Sequence, residues 1–197
     1  MNLCYSEQVK FNKDTFEIIF FARGGQGAKV AAEILAQAAS REGKFVQAYP
    51  FFGPERSGAP TKIFLRVSDR EIRTHELIFD PDVVVVMDET ILDSENVITN
   101  LGDEETLIVA TRKLPEEVKA KIGFSGKVVT VDANGISMEV IGQPRPNTVM
   151  LGKIIQVAAV AKLESVVDVF REIFAEKIGQ EMTDKNILAI ERAHDAI

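Results

Sequence analysis

A strand-like run, a glycine-rich turn and an amphipathic segment follow one another near the beginning of the chain. Phe16–Phe21 is aromatic and β-branched apart from Glu17, which is typical of a strand buried on both faces of a sheet. The turn Ala22-Arg23-Gly24-Gly25-Gln26-Gly27 comes next, and from Ala28 to Ala39 apolar residues recur at helical spacing. A strand that leads directly into a helix is the repeating unit of an α/β fold.

Further short strands alternate with helical or irregular stretches. The patterns predict them at Lys44–Tyr49, Thr61–Val67, Asp82–Met87, Thr106–Ala110 and Lys127–Val131. Since each crossover between parallel strands needs a helix to return the chain, we predict a Rossmann-like, mostly parallel sheet flanked by helices. From about residue 134 only helices are expected, over 134–141, 147–163, 165–175 and 183–196, with Asn147, Ser165 and Thr183 at or near their starts as N-caps.

Length and composition indicate one globular domain. The chain has 197 residues, of which 46% are hydrophobic and 27% charged, and we divide it into an N-terminal extension (1–15) and a single α/β domain with its helical tail (16–197). The net charge of −7 argues against nucleic acid or an anionic membrane as the main partner. The apolar runs are far shorter than the ~20 residues that span a bilayer, so we expect a soluble cytoplasmic protein.

Several kinds of active site lack their parts in this sequence. Cys4 is the single cysteine, so this chain alone builds no disulfide, cysteine-rich zinc site or iron–sulfur cluster. His75 and His194 have no partner at metal-ligand spacing. A recognisable nucleophile elbow, His-x-x-x-His helix and P-loop lysine are missing too, so the parts of a self-contained hydrolase or ATPase are not found.

The glycine-rich turn is the first candidate site. In Arg23, Gly24, Gly25, Gln26 and Gly27, the glycines would let backbone N–H groups at a helix N-terminus approach a phosphate. NAD is disfavoured, because Ala22 stands where the G-x-G-x-x-G motif begins and no acidic residue ends the second strand, at Gln47-Ala48-Tyr49. A turn needed only for packing and a turn that binds a phosphate-bearing ligand both remain open.

The second candidate is the segment Pro50–Pro60. It carries Gly53, Pro54, Glu55, Arg56 and Gly58 in a loop stiffened by three prolines. One interpretation is a rigid connection whose charged side chains are merely solvated. In the other interpretation Arg56 is an anion clamp at the carboxyl end of a strand, where α/β folds place ligands. Asp88 and Asp132 also follow strands, and we expect both to cap the next helix.

Taken in order, these motifs resemble a known family. They are Arg23-Gly24-Gly25-Gln26-Gly27-Ala28, Phe52-Gly53-Pro54-Glu55-Arg56-Ser57-Gly58-Ala59-Pro60, Arg66-Val67-Ser68, Pro81-Asp82-Val83-Val84-Val85, Asp88-Glu89-Thr90-Ile91-Leu92 and Pro146-Asn147-Thr148-Val149-Met150-Leu151-Gly152. They are similar to those of the gamma subunit of 2-oxoacid:ferredoxin oxidoreductases of the pyruvate/2-oxoisovalerate type. The likeness spans residues 16–196 and departs from many relatives at Ala22.

The resemblance implies a subunit that is not catalytic alone. The complex would oxidatively decarboxylate pyruvate or a related 2-oxoacid with coenzyme A, giving acyl-CoA, carbon dioxide and reduced ferredoxin. Thiamine diphosphate and [4Fe–4S] clusters would lie on the alpha, beta and delta subunits, in agreement with the single cysteine here. The two candidate loops would serve the coenzyme A side of the site and subunit contacts, with no catalytic residue or metal ligand from this chain.

Two other functions are compatible with the sequence. The chain could be a ligand-free scaffold that holds the catalytic subunits of the same complex together. It could instead be a free-standing nucleotide-binding protein of the doubly wound class, which fold analogy alone suggests.

Overall fold

A mixed sheet organises the chain. The computed structural model describes residues 14–51 and 60–196, so residues 1–13 of the predicted N-terminal extension lie outside the described residues. In the described part, six strands pair in the order β2-β3-β1-β4-β5-β6. They are β1 (Thr15–Arg23), β2 (Phe45–Phe51), β3 (Pro60–Ser68), β4 (Val83–Val86), β5 (Thr106–Ala110) and β6 (Lys127–Val131).

Helices cover both faces of this sheet unequally. They are α1 (Ala28–Arg41), α2 (Pro115–Ile122), α3 (Ala133–Val140), α4 (Pro146–Ala158), α5 (Leu163–Ile178) and α6 (Gln180–Asp195), with a short 3₁₀ helix at Glu89–Asp93. The larger core lies under α1 and α3–α6, and the smaller one under the 3₁₀ helix, the segment after it and α2. The predicted α/β fold with a C-terminal helical segment is confirmed.

The central strand β1 explains why its sequence is apolar almost throughout. Ile18 and Phe20 belong to the larger core, and Ile19 and Phe21 to the smaller one, so both faces of the strand are buried. Glu17 is accommodated because its carboxylate accepts a hydrogen bond of 2.7 Å from Nε of Arg66 on the neighbouring strand.

The direction of β3 is not evident from its sequence pattern. β1, β4, β5 and β6 pair in parallel, whereas β3 is antiparallel to both β1 and β2. Only residues 52–59 separate β2 from β3, and a parallel crossover needs a dozen residues or more. The sheet is therefore mostly parallel, as predicted, with one reversed strand.

The three predicted N-caps are wrong, because the helices begin earlier than expected. α4 begins at Pro146, whose fixed φ suits the first helical position, so Asn147 lies inside the helix. Ser165 lies in the first turn of α5, which begins at Leu163. α6 begins directly after Gly179, and the buried Thr183 hydroxyl donates to the Gly179 carbonyl at 2.9 Å.

The strand order creates a crevice between the carboxyl ends of β1 and β4. From β1 the chain moves towards β2 on one side of the sheet, and after β3 it crosses to β4 on the other side. The carboxyl ends of β1 and β4 are neighbours at this switch point, which is where open α/β sheets place ligands.

Candidate functional site

A cleft of about 460 Å³ opens at the carboxyl ends of β4, β5 and β6. Its walls come from the ends of these strands, from the glycine-rich turn and from the first residue of α4. The lining residues are Gln26, Met87, Asp88, Glu89, Ala110, Thr111, Arg112, Lys113, Asp132, Ala133, Asn134 and Pro146.

The glycine-rich turn after β1 is tight and closely packed. The Gln26 N–H donates to the Arg23 carbonyl at 3.1 Å, and Gly25 and Gly27 have φ values of 90° and 78°. A Cβ at Gly27 would lie 2.7 Å from Nδ2 of Asn147 in α4. Gly27 is therefore favoured by its left-handed backbone, and a larger residue there would also have to displace the Asn147 side chain.

The N-terminus of α1 begins at this turn and carries no cap among the described residues. No side chain there accepts from the first-turn N–H groups of α1, and its first turn contains no acidic residue. Free N–H groups and the helix dipole give such a terminus a partial positive charge. A terminus of this kind attracts anions, and a phosphate site at this turn stays a prediction.

Asp88 connects the turn to the end of β4. As predicted, it caps the following 3₁₀ helix, since its Oδ1 accepts from the Thr90 N–H at 2.9 Å and from the Thr90 hydroxyl at 2.7 Å. Its Oδ2 accepts from Nε2 of Gln26 at 2.7 Å. Burial raises the pKa of Asp88, but hydrogen bonds from Thr90 and Gln26 and the charge of Arg23 outweigh burial, so the pKa is lowered from its ordinary value.

The guanidinium of Arg23 is held in the same network. Its Nη2 donates to Oγ1 of Thr90 at 2.8 Å, and its Nε lies 3.6 Å from Oδ2 of Asp88. The Arg23 side chain is therefore directed at the end of β4.

The opposite wall carries two cations that the sequence analysis missed. Nε of Arg112 donates to Oδ2 of Asp132 at 2.9 Å, and Nζ of Lys113 lies 3.4 Å from Oε2 of Glu89. Both cations lie just after the strand β5, so their position at a strand end, like that of Asp88 and Asp132, is the sequence signal that could have found them.

Glu89 and Asp132 hold this wall in place. The Thr111 hydroxyl donates to Glu89, and this bond together with the charge of Lys113 lowers the pKa of Glu89 against the opposing effect of burial. Asp132 caps α3, as predicted, by accepting from the Gly135 N–H at 2.8 Å.

The predicted site residues divide into two groups. Arg23, Gly24, Gly25, Gln26 and Gly27 form one turn, of which Gln26 lines the cleft. The other five, Gly53, Pro54, Glu55, Arg56 and Gly58, lie outside the described residues, and their role stays a prediction.

The sheet register places the start of β3 beside the end of β1. Pro60, the first residue of β3, is paired with Arg23, the last residue of β1. The described part of the chain therefore resumes at Pro60, beside the end of β1.

Across 14–51 and 60–196, no group of three or more His, Cys, Asp or Glu side chains is placed to hold a metal ion. In the same ranges, no helix has the length and apolar character needed to cross a membrane.

Comparison with known proteins gives concordant results. The family model for pyruvate ferredoxin/flavodoxin oxidoreductase matches residues 17–196. The chain is 47% identical over 178 residues to the pyruvate/ketoisovalerate oxidoreductases common subunit gamma of Thermococcus kodakarensis, which covers 90% of this chain and 94% of the relative.

Solved structures share the fold. The pyruvate oxidoreductase subunit PORC of Thermotoga maritima has a TM-score of 0.83 at 40% identity, covering 93% of this chain and 97% of that one. The 2-oxoglutarate:ferredoxin oxidoreductase of Magnetococcus marinus, solved with 2-oxoglutarate, coenzyme A and succinyl-CoA bound, has a TM-score of 0.75 at 18% identity. That likeness covers 92% of this chain and 30% of the larger one, and it is a likeness of fold.

The family match covers nearly the whole chain, and the identity to gamma and PorC subunits extends over nine-tenths of it. The chain therefore belongs to the pyruvate ferredoxin/flavodoxin oxidoreductase family, as a gamma-type subunit of a multisubunit oxidoreductase.

Proposed function

We propose that this subunit forms part of the coenzyme A site of a 2-oxoacid:ferredoxin oxidoreductase. The complex converts pyruvate or a related 2-oxoacid and coenzyme A into acyl-CoA and carbon dioxide, and passes two electrons to ferredoxin. The observation that carries the proposal is the uncapped N-terminus of α1, presented by the glycine-rich turn beside the cleft.

The chemistry of coenzyme A suits this location. Its diphosphate and 3′-phosphate carry several negative charges, which favour backbone N–H donors at a helix N-terminus. The chain as a whole carries a net charge of −7, so local positive groups must supply the attraction. Arg112 and Lys113 on the opposite wall add to it.

Arg56 is the proposed anion clamp. The Arg23 guanidinium is engaged by Thr90 and Asp88, so its contribution is to orient the turn. In the sequence Arg56 comes four residues before Pro60, and its guanidinium would complete the phosphate contacts through bidentate hydrogen bonds.

The cofactors for decarboxylation and electron transfer are assigned to partner subunits. An iron–sulfur cluster does not fit this chain, which has one cysteine. Thiamine diphosphate and [4Fe–4S] clusters are placed on the alpha, beta and delta subunits. The choice of 2-oxoacid is also assigned to them, because a relative is named as common to pyruvate and ketoisovalerate oxidoreductases.

The variant Arg56→Ala in the assembled complex tests this function. We expect the KM for coenzyme A to rise about tenfold or more, since a charge-assisted hydrogen bond is lost. Carbon dioxide release from the 2-oxoacid without coenzyme A should be unchanged. The complex is recovered anaerobically through a tag on this chain, and viologen reduction is measured with pyruvate and with 2-oxoisovalerate.

Arg73→Ala is the matched control. Arg73 is exposed and pairs with the exposed Glu71, so its removal should leave both measurements unchanged. Equal losses of both half-reactions in Arg56→Ala would contradict the coenzyme A role and favour the ligand-free scaffold.

A further inference from the structure

Asp88 does more than cap the 3₁₀ helix, because its second oxygen faces the glycine-rich turn. Oδ1 is used by Thr90, whereas Oδ2 accepts from Nε2 of Gln26 at 2.7 Å. The same Gln26 side chain turns its Oε1 to the backbone N–H of Arg23, at 2.7 Å. One side chain thus joins the carboxylate after β4 to the backbone of the last residue of β1.

This connection has a fixed polarity. An ionised carboxylate only accepts hydrogen bonds, so Gln26 must present its NH₂ group to Asp88. Its carbonyl oxygen is then the group left for Arg23, whose N–H only donates. The charge of Asp88 therefore selects one of the two orientations of the Gln26 amide.

The connection also determines the shape of the turn. Gln26 closes the turn through its own N–H, which donates to the Arg23 carbonyl at 3.1 Å. Backbone and side chain of Gln26 together hold Arg23 at both its carbonyl and its N–H. The residues between them, Gly24 and Gly25, have little rigidity of their own because glycine has no Cβ.

We propose that Asp88 is a positioning residue for the ligand of the glycine-rich turn, acting through the amide orientation of Gln26. This inference rests on the proposed coenzyme A function of the turn. Asp88 itself remains hydrogen-bonded to protein groups and takes no direct part in binding phosphate.

Asp88→Asn isolates this role. Asparagine is as good an N-cap as aspartate, so the 3₁₀ helix keeps its cap when the amide oxygen faces Thr90. Its NH₂ group then opposes the NH₂ group of Gln26. If the asparagine amide is reversed, its NH₂ group instead faces the Thr90 N–H. Both orientations of the asparagine therefore place two hydrogen-bond donors against each other.

A second substitution restores the polarity. In Asp88→Asn/Gln26→Glu, the new carboxylate accepts from the asparagine NH₂ and from the Arg23 N–H. The total charge equals that of the parent protein. If the double variant works, the site requires one carboxylate paired with one amide. If it does not, the site requires aspartate at position 88 itself.

The assay uses the assembled complex. We expect the KM for coenzyme A to rise about fivefold to tenfold in Asp88→Asn, to return towards the parent value in the double variant, and kcat to change little. Hydrogen exchange of the segment 23–27 should accelerate in the single variant and slow again in the double one. Asp82→Asn is the control, because Asp82 accepts the Glu17 N–H at 2.7 Å at the opposite end of β4.

Three results would overturn the inference. The first is an unchanged KM and unchanged exchange in Asp88→Asn. The second is a defect that the double variant does not repair, and the third is a defect that lowers kcat in both half-reactions equally. Gln26→Ala distinguishes the two proposals: if it raises the KM while Asp88→Asn does not, only the positioning role fails, and if neither variant raises it, the coenzyme A role of the turn fails as well.

Discussion

Arg66 is almost completely buried although it carries a full charge. Its Nε donates to Oε1 of Glu17 at 2.7 Å, and its Nη1 donates to the Tyr49 hydroxyl at 3.0 Å. That hydroxyl donates in turn to the Glu76 carbonyl at 2.7 Å, and burial raises the pKa of Tyr49 against the opposing charge of Arg66. The network ties three strands to the segment after β3.

Removing one partner of the Arg66–Glu17 ion pair should lower the free energy of unfolding more than removing both partners. Arg66→Met leaves the Glu17 carboxylate without its partner, and we expect a loss of about 3 kcal/mol in the free energy of unfolding. Arg66→Met/Glu17→Leu should recover most of that loss, because two apolar side chains then replace both charges. Urea denaturation of the purified chain measures both values. A double variant no more stable than Arg66→Met would show that the unpaired Glu17 carboxylate carries no such cost.

At the scale of elements, α4 is the central helix of the C-terminal segment. Residues 148–155 of this helix are all buried, as expected of a helix that packs on every side. A Cβ added at Gly152 would overlap the backbone carbonyl oxygen of Ile190 in α6. The two helices therefore approach each other at backbone distance, which requires glycine at this position.

Gly152→Ala should destabilise the packing of α4 against α6 by about 3 kcal/mol or more, since backbone atoms cannot move aside without separating the helices. Gly123→Ala is the comparison. A Cβ there meets no atom within 4 Å, but φ is 68° and ψ is 34°, in the left-handed helical region, so only backbone strain of about 1–2 kcal/mol is expected. Thermal unfolding of both variants tests the difference. Equal losses would show that the helices can adjust.

At the scale of the whole molecule, acid should weaken the wall of the cleft. The pKa values of Asp88 and Glu89 are both lowered from their ordinary 3.8 and 4.5. Where the unfolded chain binds these protons and the folded chain does not, acid favours unfolding. This contribution is complete above the ordinary pKa values and is lost as the pH falls through the lower, folded-state values.

Glu89→Gln should therefore reduce stability at pH 7 and approach the parent protein as the pH falls below about 4. Glutamine resembles protonated glutamate, so the two proteins become equivalent once Glu89 is protonated. The free energy of unfolding of the purified chain, measured from pH 7 to pH 3, tests this. Glu71→Gln, at an exposed ion pair, should stay close to the parent throughout. A difference that does not change with pH would contradict the expectation.

Much of the fold was predictable because each buried strand is a short run of consecutive apolar residues that the sequence shows directly. The predicted strands Thr106–Ala110 and Lys127–Val131 are observed with the same bounds. The helix α2 was not predicted, since Val118 is its only fully buried residue and the apolar signal is correspondingly weak. Arg112 and Lys113 were missed because surface cations resemble any solvated pair until strand order places them in a cleft.

The sequence by itself determined the α/β class, the position of the glycine-rich turn and the exclusion of an iron–sulfur cluster from this chain. These features depend on local periodicity, on the conformational range of glycine and on a count of cysteines. Only the tertiary structure decided that β3 runs antiparallel and that Gln26 meets Asp88, 62 residues further along the chain. Periodicity reports which face of an element is buried, whereas contacts between distant residues depend on the order and direction in which the strands pair.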